Sequence, residues 1–195
     1  TSGAFAGSYQ AALMGGGASV APFQGFMVHK TTVGGTATFQ LNAGDRSRTA
    51  QTFQLQANDG QLTVNAQNNA TGLMDVTTVA FNTDATDVFD VQYDATKLAG
   101  GLPRHTLYTV NNSDWMSINV LNNINTTSTV PMGFAAGSNG NFTLTFDGLS
   151  SFDPTSYIYL EDKQTGAMHN VRDGAYSFTA TTSDAQNRFV LHFTP

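Results

Sequence analysis

The 195-residue chain has only 11% charged residues and a formal net charge of −6, which excludes a phosphate-binding surface built from Lys and Arg clusters. It has no cysteine, so neither a disulfide framework nor a zinc–thiolate site is available. One glutamate, Glu161, and three lysines, Lys30, Lys97 and Lys163, leave little of the surface vocabulary of amphipathic helices. Polarity comes instead from Thr, Asn, Ser and Gln, the residues of strands and turns.

Residues 1–19 are rich in Gly, Ala and Ser, with Phe5, Tyr9, Leu13 and Met14 as large apolar anchors. They read as an extended arm or a weak first strand ahead of a single domain over 20–195. Within residues 20–30, Pro22 is expected to open a turn and Gly25 to permit a bulge or close backbone approach before a strand, and 36–41 alternate well enough to pair with it across Val33-Gly-Gly35. Residues 52–57 and 61–66 flank Asn58-Asp-Gly60, a strong hairpin signal. A strand is expected over 74–81, followed by an acidic loop over 82–101. In that loop Asp94 is expected to cap one helical turn, 95–99, ended by Gly100. Strands resume at 107–110, 115–121 and 129–134, the last marked by Pro131 as an edge or bulged strand. The final third holds short runs at 139–146, 157–162, 176–179 and 187–193 between turn formers. Turn signals every 8 to 12 residues predict an all-β, antiparallel two-sheet β-sandwich, jelly-roll-like or Greek-key, with at most one short helical turn.

No stretch approaches the apolar length of a membrane-spanning helix. The start, Thr1-Ser-Gly-Ala-Phe5, has neither a charged nor an apolar leader region, so a mature product, a fragment or an export-processed piece is expected.

Three late segments, Tyr159-Leu-Glu-Asp-Lys-Gln-Thr-Gly166, Tyr176-Ser-Phe-Thr-Ala180 and Asn187-Arg-Phe-Val-Leu-His-Phe193, carry a resemblance. Together with Ala21-Pro-Phe-Gln-Gly-Phe-Met-Val28, they resemble the non-catalytic β-module of secreted, surface-attached Bacteroidota proteins. That module usually stands just before a type IX secretion sorting domain. Met27 occupies a position where a second Phe is common in it. The resemblance covers roughly residues 20–194 and implies a β-sandwich displayed at the cell surface or outside the cell. Its motifs are architectural and imply no chemistry.

Several residue groups are weighed for chemistry. Asp84, Asp87, Asp90 and Asp94 lie in one loop, where carboxylates suit a structural Ca²⁺; the competing reading gives them caps and loop amides. Trp115, Tyr157 and Tyr159 are the candidate stacking surface for a glycan, and Tyr157 and Tyr159 share one face of a strand. Phe5, Tyr9 and Leu13 would anchor self-association if the arm were donated to another copy. Glu161 and Asp162 are adjacent and so face opposite sides of a strand; an internal ion pair or turn cap with Lys163 or Arg188 fits them better than glycoside hydrolysis. The four histidines are far apart, with His29 and His192 expected at the rim, and no nucleophile elbow occurs.

The sequence therefore predicts a non-catalytic extracellular structural or adhesive module with no catalytic residues and no cofactor beyond the Ca²⁺ candidate. Its expected partners are other copies of itself or cell-surface and matrix components, without nucleic acid. The alternative is a carbohydrate-binding module that uses the exposed aromatics on a polysaccharide.

Overall fold

The computed structural model describes residues 60–90, 93–124 and 128–194. The arm with Phe5, Tyr9 and Leu13, and the elements expected at 20–30, 36–41 and 52–57, lie outside the described residues.

Eleven strands are described: β1 (Gly60–Asn68), β2 (Met74–Phe81), β3 (Ala95–Thr96), β4 (Thr106–Asn111), β5 (Asp114–Leu121), β6 (Ser128–Ala135), β7 (Gly140–Asp147), β8 (Tyr157–Asp162), β9 (Ala167–Asn170), β10 (Tyr176–Ala180) and β11 (Phe189–Thr194). The fold is all-β. The strands join into one sheet in the order β10-β7-β1-β2-β5-β4-β6-β11-β8-β9, with β3 attached to β5. Neighbours run antiparallel except β2 and β5, which pair in parallel from Thr78↔Ile118 to Phe81↔Leu121.

Alternation along the strands explains how the sheet buries one face. In β1, Leu62, Val64 and Ala66 are buried, and Gln61, Thr63 and Asn65 between them are partly exposed. The same period-two pattern buries Ile158, Leu160 and Asp162 in β8, and Phe189, Leu191 and Phe193 in β11. These inward side chains meet because the sheet rolls. Phe178 of β10, at one end of the strand order, packs edge-on against Phe134 of β6 at 5.0 Å and Phe189 of β11 at 5.1 Å. The Tyr176 hydroxyl, also on β10, donates to Asp162 of β8 at 2.9 Å. The two ends of the order thus approach each other, and the arrangement is a nearly closed, barrel-like roll. Phe81, Phe142, Phe152 and Phe193 complete the aromatic interior in mostly edge-to-face contacts. Each such pair adds about 0.5–1.5 kcal/mol beyond the area it buries.

The structure corrects the helical expectations. Residues 95–99 form no helical turn: Ala95 and Thr96 pair with β5, and the Lys97 amide donates to the Trp115 carbonyl at 2.7 Å. The segment stays extended because the Lys97 ammonium reaches inward to Asp75. Among the described residues, two short 3-10 turns form elsewhere, at Leu149–Ser151 and Val171–Asp173, where one helical turn at most was expected. Pro131, expected to mark an edge or bulged strand, lies instead in an interior strand, β6, in continuous register between β4 and β11, and is accommodated because the β4 ladder ends at Met132. Pro131 therefore has only β11 beside it, consistent with a residue that has no N–H to give.

Candidate functional site: the tyrosine face

The outward face of β8, β9, β11 and β6 gathers the candidate binding residues. Strand alternation turns Tyr157, Tyr159 and Glu161 outward while Ile158, Leu160 and Asp162 are buried. Tyr157 is 56% exposed, and its ring lies 6.2 Å from that of Tyr159 with an interplanar angle of 15°. The two rings thus present nearly parallel surfaces along one strand.

Cross-strand register places polar groups around them. Tyr159 stands opposite Asn170 on β9 and His192 on β11, and His192 stands opposite Thr129 on β6. Tyr157 stands opposite Thr194, whose hydroxyl donates to the Tyr157 carbonyl at 3.0 Å. The next row runs Met168, Glu161, Val190, Pro131. Met168 is 55% exposed, so the row begins with an apolar flank. His192 Nε2 and Glu161 Oε2 lie 2.8 Å apart, linking the two rows across the face. Arg172, in the 3-10 turn after β9, donates from Nε to the Ser156 carbonyl and from Nη2 to that of Asp153. These bonds fix the turn that delivers Tyr157. Asp153 is held below its ordinary carboxylate range chiefly by the Thr155 hydroxyl and amide.

Chemically, this face offers the exposed Tyr157 ring and the half-buried Tyr159 ring stacked beside it, bordered by an amide, an imidazole, a carboxylate and a hydroxyl. It can bind a molecule that has both apolar faces and hydroxyl edges. The sequence marked the tyrosines and the rim position of His192. It did not reveal Asn170 or Met168, because β9 was not foreseen: Ala167-Met-His-Asn170 has no β-branched residue. Its signal is the Asp162–Gly166 turn, in which Gly166 takes φ 73° and donates to the Asp162 carbonyl at 2.8 Å.

Trp115 lies apart from this face. It is half-buried on β5 and stacks on Tyr108 of β4, with ring centroids 4.0 Å apart and planes at 13°. Tyr108 lies flat across β6 because Gly133 has no side chain; a Cβ there would collide with the phenol ring. Burial raises the Tyr108 phenol above its ordinary pKa. One face of Trp115 is thus occupied, and β4, β6 and β11 separate its strand from that of the tyrosines.

The acidic loop directs carboxylates at backbone. Asp94 accepts from the Val120 amide at 2.8 Å and the Asp90 amide at 2.8 Å; burial raises its pKa against these bonds. Asp87 accepts from the Asn122 amide at 3.1 Å. Asn82 accepts from the Asp84 amide at 2.9 Å, and Asn122 donates to the carbonyls of Thr83 and Ala85. Among the described residues, no three His, Asp or Glu side chains are grouped so as to hold a metal ion, and Asp84, Asp87, Asp90 and Asp94 form no such group.

Asp162, adjacent to Glu161 on the opposite face, is fully buried against Arg188. This is the internal ion pair expected for it. No curated protein and no solved structure is detectably similar to the chain. A family model described only as a domain of unknown function, DUF8693, matches residues 4–193, and the chain belongs to that family.

Proposed function

We propose that the chain is a non-catalytic extracellular module that adheres to its surroundings by binding carbohydrate on the Tyr157–Tyr159 face. The single observation that carries this reading is the near-parallel pair of outward rings 6.2 Å apart, Tyr157 exposed and Tyr159 half-buried, bordered by Asn170, His192, Glu161 and Thr129. Sugar rings offer apolar faces to stack and hydroxyls to bond, and this face offers the complement of both. The resemblance of residues 159–166, 176–180 and 187–193 to the Bacteroidota β-module supports display outside the cell and an architectural role. We further read the rolled sheet as a jelly-roll-like sandwich, with β10-β7-β1-β2-β5 facing β4-β6-β11-β8-β9.

The test is affinity electrophoresis of the whole chain through gels cast with a panel of neutral and acidic polysaccharides. At least one polysaccharide is expected to retard the protein. Tyr157→Ala and Tyr159→Ala should each weaken that retardation about tenfold, equivalent to about 1.4 kcal/mol, as for a central aromatic contact. Retardation by none of the panel, or unchanged retardation of both variants, would sink the reading. In that event light scattering would test the structural alternative, in which copies of the chain adhere to one another.

A further inference from the structure

Lys97 and Asp75 meet where the end of the acidic loop crosses β2 and β4. Lys97 Nζ lies 2.7 Å from Asp75 Oδ1, and the two side chains are 1% and 5% exposed. The contact is closed to water and lies at the short distance of a charge-assisted hydrogen bond, which sets the amine beside the carboxyl group. Nζ also donates to the Val76 carbonyl at 2.8 Å, and Asp75 Oδ2 accepts from the Leu107 amide at 2.7 Å.

As an ion pair this arrangement is costly. An ammonium and a carboxylate out of water lose several kcal/mol of hydration each, and geometry must restore it. Among the described residues Nζ has two acceptors for three N–H bonds. Burial lowers the Lys97 pKa even with Asp75 beside it. Moving one proton along the 2.7 Å contact turns the pair into a free amine and a carboxylic acid, the two reactants of an amide.

We propose that Lys97 and Asp75 condense into an intramolecular amide cross-link. The Nζ lone pair attacks Asp75 Cγ and the Nζ–Cγ bond forms. Oxygen Oδ2 gathers negative charge against the Leu107 N–H, which already points at it. The Cγ–Oδ1 bond then breaks, and Oδ1 leaves as water with the acid proton and one amine proton. Nothing is oxidised or reduced, and no co-reactant is needed. The product's N–H keeps the Val76 carbonyl as its acceptor, and its carbonyl keeps the Leu107 amide as its donor. Both polar groups of the amide are therefore matched, and two buried charges disappear. His105, buried and bonded through Nε2 to the Ala66 carbonyl at 2.9 Å, is the ionisable side chain that feels both reacting groups; Arg104 is the next charge along the chain.

The experiment is the intact mass of the purified full chain, followed by peptide mapping. The expected mass is that of the sequence less one water. Digestion should yield a branched peptide joining the Lys97 segment to the Asp75 segment, with no tryptic cleavage after Lys97. Lys97→Arg keeps a cation beside Asp75 but has no amine able to form the bond, so it should show its full mass. A wild-type chain at full sequence mass would overturn the proposal. A missing water that persists in Lys97→Arg would also overturn it, since Asp59-Gly60 can lose water as a cyclic imide.

Discussion

Two carboxylate–cation pairs are buried among the described residues, and they are built differently. At the seam, Asp162 takes both prongs of Arg188: Nε to Oδ1 at 2.9 Å and Nη2 to Oδ2 at 2.7 Å. It also accepts from the Gln164 amide at 3.1 Å and the Tyr176 hydroxyl at 2.9 Å. Arg188 uses Nη1 on the Thr179 carbonyl, and its guanidinium lies 4.6 Å from the Phe178 ring and 5.2 Å from that of Phe189. One side chain thus joins β8, β10 and β11 where the roll nearly closes. The Lys97–Asp75 pair has a single ionic contact and only two further bonds. Arginine cannot give up its proton, whereas a buried lysine can, and burial pushes Lys97 that way. The seam pair is therefore a fixed electrostatic clasp. The loop pair is a set of reactants.

The largest effect is expected from breaking the clasp. Asp162→Ala leaves the Arg188 guanidinium buried without its carboxylate and removes the acceptor of Tyr176, costing about 3–5 kcal/mol. For a chain of this size that lowers the thermal midpoint by about 6–20 °C. A loss below about 1 kcal/mol by urea unfolding would mean that the interlocked phenylalanines close the roll by themselves.

Acid should separate the two regions by pH. His105 stands beside the loop pair, and burial lowers its pKa from 6.5. The unfolded chain then binds a proton that the folded chain resists, so stability is complete above about pH 6.5 and falls as the pH drops from there toward the folded value. At the seam, burial raises the Asp162 pKa, but bonds from Arg188 and Tyr176 outweigh it and the net shift is below 3.8. That contribution persists to lower pH and is lost only as the pH falls through the depressed folded value. Urea midpoints measured from pH 8 to pH 3 should therefore decline in two windows. His105→Gln should flatten the upper one and leave the lower. An unchanged upper window in that variant would detach the effect from His105.

How much of this was legible follows from which interactions are local. The strand over 74–81 was readable to its ends because its apolar body and flanking turns are contiguous. The opposite facing of Glu161 and Asp162 and the shared face of Tyr157 and Tyr159 follow from the period of a strand. The roll was not legible, since it depends on register between distant segments, such as Val64 with Phe146. The helical turn expected at 95–99 lost to non-local bonds, Lys97 to Asp75 and Asp94 to the Val120 amide. Trp115 read as an open platform because nothing near it in sequence says that Gly133 lets Tyr108 lie beneath it. The placement of these aromatics was therefore legible only in part: the shared face of the tyrosines depends on one strand's period, whereas the setting of the tryptophan depends on three strands at once.

The smallest effect is expected at a third pair, His192 with Glu161, which has a contact nearly as short as the buried ones but side chains 28% and 34% exposed. Water competes for both groups there, so Glu161→Gln should cost no more than about 1 kcal/mol. The imidazole can donate Nε2–H to the glutamate. The glutamine carbonyl can accept the same bond. Thermal unfolding of Glu161→Gln beside Asp162→Ala compares neighbouring carboxylates on opposite faces of β8. A midpoint that falls as far for Glu161→Gln as for Asp162→Ala would show that water exclusion is not what separates clasp from surface pair. A midpoint that hardly moves, in a variant whose polysaccharide retardation weakens, would assign Glu161 to the ligand and Asp162 to the fold.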